Sequence, residues 1–487
     1  MEDARPWPRQ PRFRITRVAL GAALGLTVLL PVPLHADDRL LDLLRQKSVL
    51  SPEEYERLEG ARLSPGPRAG LIEVLRSKGV LSKQEAQGLA PPPSTAETVV
   101  APPADAPQLG YDEGFFVRSA DRNLALKFNG RVASNLLFFE PDTTQTDSAT
   151  VDRGRLGAEA TFHKYFRMRL ENDFAFSAGL RDAFVAVTPR PEFNVQIGQF
   201  KVPFSYEGLL SKKYQDFVER AAVVTSTVNP SRDVGIMAHG RLFNAALQYQ
   251  LAVMNGAGQN RSDNNSDKDV IGRLVVAPFA AGHLRGFNIG GAVSYGHQPG
   301  ETLSGTKQTT SSIAGVTETG FNFFPAVARQ GKRWRTGAHA AWFDGPFSLS
   351  GEYIQTEEAR GALPDLETNG AYAGGTWLLT GETKPFNARL RPASALWDPM
   401  HPGCGAWEAA LRYEFLKLRH GADTNTASPV DNRYDAVVVG LNWYPNEFLR
   451  LSLNYLYGAF DHQGKDQSPN PDKRASNAVL GRAQLEF

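Results

Sequence analysis

The chain has 487 residues, a formal net charge of +1, 45 glycines, 10% aromatic residues and a single cysteine, Cys404. One cysteine excludes an intrachain disulfide and the cysteine-rich zinc spacings, and the near-neutral charge excludes a strongly basic nucleic-acid binder. Only one stretch approaches the apolar length of a spanning helix, and it lies at the extreme N-terminus, so a polytopic helical membrane protein is excluded as well.

Residues 1–36 read as an export signal. Arg5, Arg9, Arg12, Arg14 and Arg17 form a basic region, an apolar run follows from Val18 to about Leu30, and Leu34-His35-Ala36 offers a cleavage site before Asp37. Pro31 and Pro33 close the apolar run early, which favours cleavage over retention as an anchor. Residues 37–90 contain an internal repeat with a spacing of 31, in which Leu40–Ser51 matches Leu71–Ser82. Each copy is a short amphipathic helix followed by a Ser N-cap (Ser51, Ser82) with Glu54 or Glu85 at the capping-box position. This predicts a small helical module on the periplasmic side. From 91 to 107 the composition turns to Pro, Ala and Thr, a semi-extended linker that marks a domain boundary.

Beyond about residue 108 the hydrophobic period changes to two. In Val151–Phe162 the apolar or small residues Leu156, Ala158, Ala160 and Phe162 alternate with Arg153, Arg155, Glu159 and Thr161. Phe166, Met168 and Leu170 alternate with Arg167, Arg169 and Glu171, and Trp407, Leu411, Tyr413 and Phe415 stand opposite Glu408, Arg412 and Glu414. A soluble sandwich also alternates, but charges in run after run suit a barrel with lipid outside and water inside. Sixteen such runs can be placed: 124–139, 151–162, 167–177, 181–188, 193–200, 232–242, 245–254, 268–277, 287–296, 333–343, 347–356, 370–380, 405–418, 433–444, 447–460 and 476–487. Short turns (344–346, 444–446) exchange with long polar loops (140–150, 255–267, 297–332, 461–475), the rhythm of periplasmic turns and extracellular loops. The segment 381–404 is long yet periplasmic by parity, and 111–119 is too short to span and reads as a hairpin at the barrel floor. In the last run Val479, Gly481, Ala483, Leu485 and the terminal Phe487 share one face, with Arg482, Gln484 and Glu486 on the other. The predicted fold is therefore an all-β, 16-stranded antiparallel transmembrane β-barrel over 108–487, preceded by a small α-helical periplasmic segment.

Several motifs add a family resemblance. Gly440–Asn446 followed by Leu451–Tyr455, together with Val253–Ala257, Leu378–Glu382, Gly405–Glu408 and Gln199–Phe204, resembles the phosphate-selective porin O/P family over roughly 110–487. The resemblance implies a trimeric channel in the outer membrane of a Gram-negative bacterium that passes anions, phosphate or polyphosphate among them. Its partners would be inorganic phosphate or other small anions, outer-membrane lipid and two further copies of itself, and no nucleic acid.

An oxyanion channel needs cationic donors at its narrowest point: Arg supplies planar forked donors and Lys a point charge. Two groups qualify. The segment after 193–200, which resembles the family's loop folding into the pore, carries Lys201, Lys212, Lys213, Arg220 and Arg232. The lumen face of the first strands carries Lys127, Arg131, Arg153, Arg155, Arg167 and Arg169. Each has a structural alternative. Arg220 and Arg232 abut Glu219 and Asp233 and would then only pin the loop. On the wall, a hairpin register pairing residues that sum to 328 sets Glu159 opposite Arg169 and Arg155 opposite Asp173; the register summing to 330 would oppose Glu159 and Glu171 and is disfavoured. Lys212 and Lys213 have no acid within two residues, so the loop is expected to govern anion preference more than the wall arginines do.

No catalytic constellation is written in the sequence: there is no His-Glu-x-x-His pair, Gly-x-Ser-x-Gly elbow or phosphate-binding Gly-Lys-Ser/Thr loop, and no metal or other cofactor is expected. Three readings remain: an anion-selective porin, a weakly selective general porin, and a structural envelope protein with a plugged barrel.

Overall fold

The computed structural model describes residues 107–140, 146–175, 179–228, 231–263, 265–298, 312–313, 327–328, 331–398, 402–422, 429–461 and 474–487. The export signal, the helical repeats of 37–90 and nearly all of the 91–107 linker lie outside the described residues.

Two short strands come first, β1 (Gln108–Tyr111) and β2 (Phe115–Arg118), joined as a hairpin. Then follow β3 (Leu124–Phe139), β4 (Ser148–Phe162), β5 (Phe166–Asp173), β6 (Leu180–Arg190), β7 (Phe193–Lys201), β8 (Arg232–Leu242), β9 (Leu247–Met254), β10 (Asp269–Val276) and β11 (Asn288–Gln298). A two-stranded ribbon of β12 (Ser312–Ile313) and β13 (Val327–Ala328) precedes β14 (Gly331–Asp344), β15 (Phe347–Ala359), β16 (Leu366–Leu378), β17 (Ala406–His420), β18 (Val430–Tyr444), β19 (Leu449–Asp461) and β20 (Ala475–Glu486). Sixteen of these, β3–β11 and β14–β20, pair antiparallel with their chain neighbours, and β20 returns to β3 to close the barrel. Closure leaves the sixteen spanning strands without a free edge, the condition for a sheet to cross lipid. The expected runs match these strands apart from shifts at their ends. β5 stops at Asp173, where the backbone turns back through Asp173 N–H to the Gly179 carbonyl.

β3 has two partners in succession. Its residues Arg131–Phe139 pair with β20, and Ala125–Phe128 pair with β2, so the floor hairpin expected at 111–119 continues the sheet below the chain's end. Phe487 completes the seam: its N–H and carbonyl both bond Gly130. A Cβ at Gly130 would lie 2.4 Å from the Phe487 ring, so only glycine leaves room for it.

The two faces separate as the period predicts. On β20, Val479 and Leu485 face outward and are exposed, whereas Arg482, Gln484 and Glu486 are buried in the lumen. Stacked aromatic pairs, Trp407 with Trp443 and Phe347 with Trp377, sit at the rim that carries the short turns, where an aromatic girdle meets the membrane interface. The β4–β5 register is the one summing to 328, with Glu159 opposite Arg169 and Arg155 opposite Asp173.

The connection 202–231 between β7 and β8 turns into the lumen. It contains α1 (Tyr206–Leu209), a 3₁₀ turn (Lys212–Tyr214) and α2 (Ala222–Thr227). Phe204, Phe217, Val223 and Val224 of the loop share one buried apolar cluster with Phe200, Tyr372, Leu416, Ala436 and Val438 of the wall, a core inside the barrel. Full burial of each large side chain stabilises the docked loop by roughly 1.5–3 kcal/mol. Gly370 permits the approach, since a Cβ there would meet the Val223 side chain at 2.9 Å.

Candidate functional site

Wall carboxylates fasten the loop by its amides. Glu352 on β15 accepts from the Ser205 hydroxyl (2.9 Å) and from the N–H groups of Tyr206 (2.7 Å) and Glu207 (3.2 Å), capping α1. At α2 the N-terminal amides of Ala221 and Ala222 go to Glu207 of α1 within the loop (3.0 Å) and to Glu414 of the β17 wall (3.3 Å). These acids meet free N–H groups and the positive end of each short helix, which explains why anions line the lumen there. Loop carbonyls take wall donors in turn: Arg450 reaches the Gln215 carbonyl at 2.6 Å, and Arg412 reaches that of Glu219 at 3.0 Å.

Residues 379–398 of the long periplasmic segment close the loop from below. Lys384 is buried between Asp216 of the loop and Glu408 of β17. Burial alone would lower the Lys384 pKa, but the two carboxylates outweigh it and raise it. Asn387 accepts the Ser211 N–H (2.9 Å), and Tyr214 donates its hydroxyl to Glu113 of the floor hairpin (3.1 Å). The loop tip is thus tied to two separate parts of the periplasmic rim, the segment after β16 and the floor hairpin.

What the loop leaves open is a cavity of about 470 Å³ between itself and the β3–β8 wall. Eleven cationic side chains and four carboxylates line it among the described residues. Ten of the eleven expected cations are brought together here: Lys201, Lys212, Lys213, Arg220 and Arg232 with Lys127, Arg131, Arg153, Arg155 and Arg169. Arg167 is not; it lines a second cavity lower in the lumen. Arg181 is the addition. Alternation places it on the lipid side with Val185 and Val187, but the β5–β6 register shifts between Leu170 and Asn172, and Arg181 reaches Asp173 at 3.5 Å. Only an irregularity that a strict period of two does not contain could have revealed it.

The pairing within this cluster departs from expectation at several points. Arg155 bonds Asp173 (2.7 Å) and Glu171 (3.0 Å), and Glu159 bonds Arg167 (2.7 Å) and Arg169 (3.7 Å), so this hairpin is neutralised as the register implied. Arg232 binds Asp182 (2.8 Å) and not its neighbour Asp233, whose oxygens take the amides of Val234, Gly256 and Gly258. Arg220 donates to the carbonyls of Glu207, Gly208 and Leu210 and not to Glu219. Lys212 is paired after all, with Glu219 seven residues on (2.9 Å) and Asp152 (3.5 Å), and burial pushes its pKa down to about 8. Arg131, Lys201, Lys213 and Arg220 have no carboxylate within 4 Å among the described residues. The Lys201 ammonium instead caps the Leu209 and Leu210 carbonyls at 2.8 Å, and the Lys213 ammonium lies 4.4 Å from the centre of the Tyr214 ring.

A closed sixteen-stranded barrel, apolar outside and narrowed by an inward loop beside a cation-rich lumen, defines an outer-membrane porin. The chain belongs to the phosphate-selective porin O and P family, whose model matches residues 127–487. It is accordingly a channel for anions in the outer membrane of a Gram-negative bacterium. It is 25% identical over 384 residues to Porin O of Pseudomonas aeruginosa, covering 72% of this chain and 86% of that protein. It is 27% identical over 440 residues to an uncharacterised protein of Caulobacter vibrioides, covering 82% of each. Among solved structures, OmpT of Vibrio cholerae superposes with a TM-score of 0.50 at 11% identity, over 75% of this chain and 98% of that one. That likeness concerns the fold alone.

Proposed function

We propose that the channel passes phosphate or polyphosphate, with the 470 Å³ cavity as the constriction where the ion is held. The observation that carries this reading is the excess of cations over carboxylates in that cavity, four of them without an acidic partner. Arg131 faces Arg155 directly across the β3–β4 pair; Asp173 and Glu171 hold Arg155, whereas Arg131 has no carboxylate within 4 Å among the described residues and is left to meet an anion. Lys213 and Arg220 approach from the loop, so an oxyanion would be gripped from opposite sides by forked and point-charge donors. Seven of the eleven cations do have a carboxylate within 4 Å, which is the observation favouring a weakly selective porin instead. Conductance of purified protein in planar bilayers, measured against phosphate concentration, separates the two. Saturation is expected for a binding constriction; a linear rise with no discrimination of phosphate from chloride refutes it.

The same reading takes the channel as a homotrimer, as in the family it belongs to. Its mass in mild detergent, three chains against one, tests that assembly.

A further inference from the structure

The second lumenal cavity lies toward the periplasmic rim, with a volume of about 800 Å³ against about 470 Å³ for the first. Four arginines, Arg167, Arg241, Arg273 and Arg285, line it together with His239, and no carboxylate does among the described residues. We infer that this cavity is a separate site for small aromatic anions, aryl phosphates or aryl carboxylates, entered from the periplasmic side.

Two features of this cavity carry the inference. One is the state of Arg273. Its Nη1 bonds Gln250 Oε1 at 3.0 Å, while its buried Nε has no hydrogen-bond partner among the described residues. The carboxylate of Glu352 acts on Arg273 through its charge, but its oxygens accept from Ser205 and two loop amides, and Arg273 forms no salt bridge among the described residues. An anion in the cavity that Arg273 lines would give its guanidinium the ionic partner it lacks.

The other feature is an aromatic surface. The periplasmic segment after β16 brings Phe386 to the cavity wall, where the residue remains 54% exposed. It stands edge-on to Phe343 (centroids 5.3 Å apart, 71°) and lies near-parallel to Tyr206 (6.4 Å, 26°), which in turn stacks on His339 (4.7 Å). An exposed ring in an aqueous cavity is apolar area that a bound aryl group would remove from water. Inorganic phosphate would use the arginines but leave this surface bare. A ring carrying one anionic group matches both, with Asn194, Gln248 and Asn288 as polar neighbours at the edge.

The inference does not depend on which inorganic ion crosses the constriction, and its test keeps the two apart. Chloride conductance of the full chain in planar bilayers is measured while phenyl phosphate or inorganic phosphate is titrated from each side. In the wild type, phenyl phosphate is expected to block at lower concentration from the periplasmic than from the extracellular side. Arg273→Gln and Phe386→Leu, the latter retaining apolar bulk without a ring face, should each raise the half-blocking concentration of phenyl phosphate at least fivefold. That of inorganic phosphate should move less than twofold. A parallel shift of both probes, or a phenyl phosphate block indifferent to both variants, overturns the inference. A linear response to inorganic phosphate with a variant-sensitive phenyl phosphate block would refute the phosphate constriction and leave this site standing.

Discussion

Lys213 is the loop cation best placed to meet a passing ion, and reversing its charge makes a sharp perturbation. No carboxylate lies within 4 Å of it among the described residues, and the backbone beneath it is fixed, because Arg450 and Gln484 both donate to the Lys213 carbonyl. Lys213→Glu therefore changes charge without removing the loop's attachments. An anion at about 6 Å from the ammonium gains roughly 2.8 kcal/mol at an effective dielectric of about 20, and roughly 0.7 kcal/mol if the passage is as wet as bulk water. Loss of that attraction lowers the anion-to-cation permeability ratio by about threefold at the wet limit and about a hundredfold at the dry one, before counting the repulsion from the new carboxylate. The control is Arg155→Gln with Glu171→Gln. That double change removes an ion pair 3.0 Å apart whose charges cancel beyond their own separation, and Asp173 keeps Arg153 and Arg181 as neighbours. Reversal potentials under a salt gradient across a planar bilayer report both. A ratio unaltered by Lys213→Glu, with a large change in the double variant, would place selectivity on the wall and refute the reasoning.

Further outcomes follow from the same contacts. With its pKa near 8, Lys212 is mostly charged at pH 7 and mostly neutral at pH 9, so anion preference should weaken as pH rises across that interval; Lys212→Arg should flatten the profile, and a wild-type reversal potential independent of pH contradicts this placement. Lys384→Met leaves Asp216 and Glu408 without their shared cation, and breaking a buried pair of this kind costs about 3–5 kcal/mol, so the loop tip should loosen. Thermal unfolding and channel noise are the measurements, with an unchanged Tm and quiet, unaltered conductance as the contrary result. Deleting Phe487 removes two backbone bonds to Gly130 and the ring that fills its gap, so the heat-modifiable folded band on gels should fall sharply; equal folded yield would count against a sealing role. A chain beginning at residue 108 should still form pores; folding without conduction would assign the repeats of 37–90 to the channel.

Strand positions were legible because the barrel repeats a local rule. Lipid outside and water inside impose a period of two on every spanning segment, so Val479, Leu485 and Phe487 identify their face without reference to any other strand. The β4–β5 register was legible for a related reason: a tight turn at 163–165 leaves few alternatives, and charge complementarity between Glu159 and Arg169 selects among them. The family motifs and ten of the lining cations came from the same strands and from the segment that follows them.

Tertiary structure alone decided how the charges are used. Neighbours in sequence suggested that Glu219 holds Arg220 and that Lys212 stands free, whereas the folded loop gives Glu219 to Lys212 and Arg482 and leaves Arg220 to backbone carbonyls. A loop turned back on itself brings residues together by path and not by period, so a window of two residues cannot find the partner. Lumen-facing Leu416, Ala436 and Val438 run against a wholly polar interior, and they do so because the loop covers them. Lys384 meets Asp216 across 168 residues of chain. Such contacts exist only once the barrel has closed around the loop, and closure joins segments whose order in the chain carries no record of their distance.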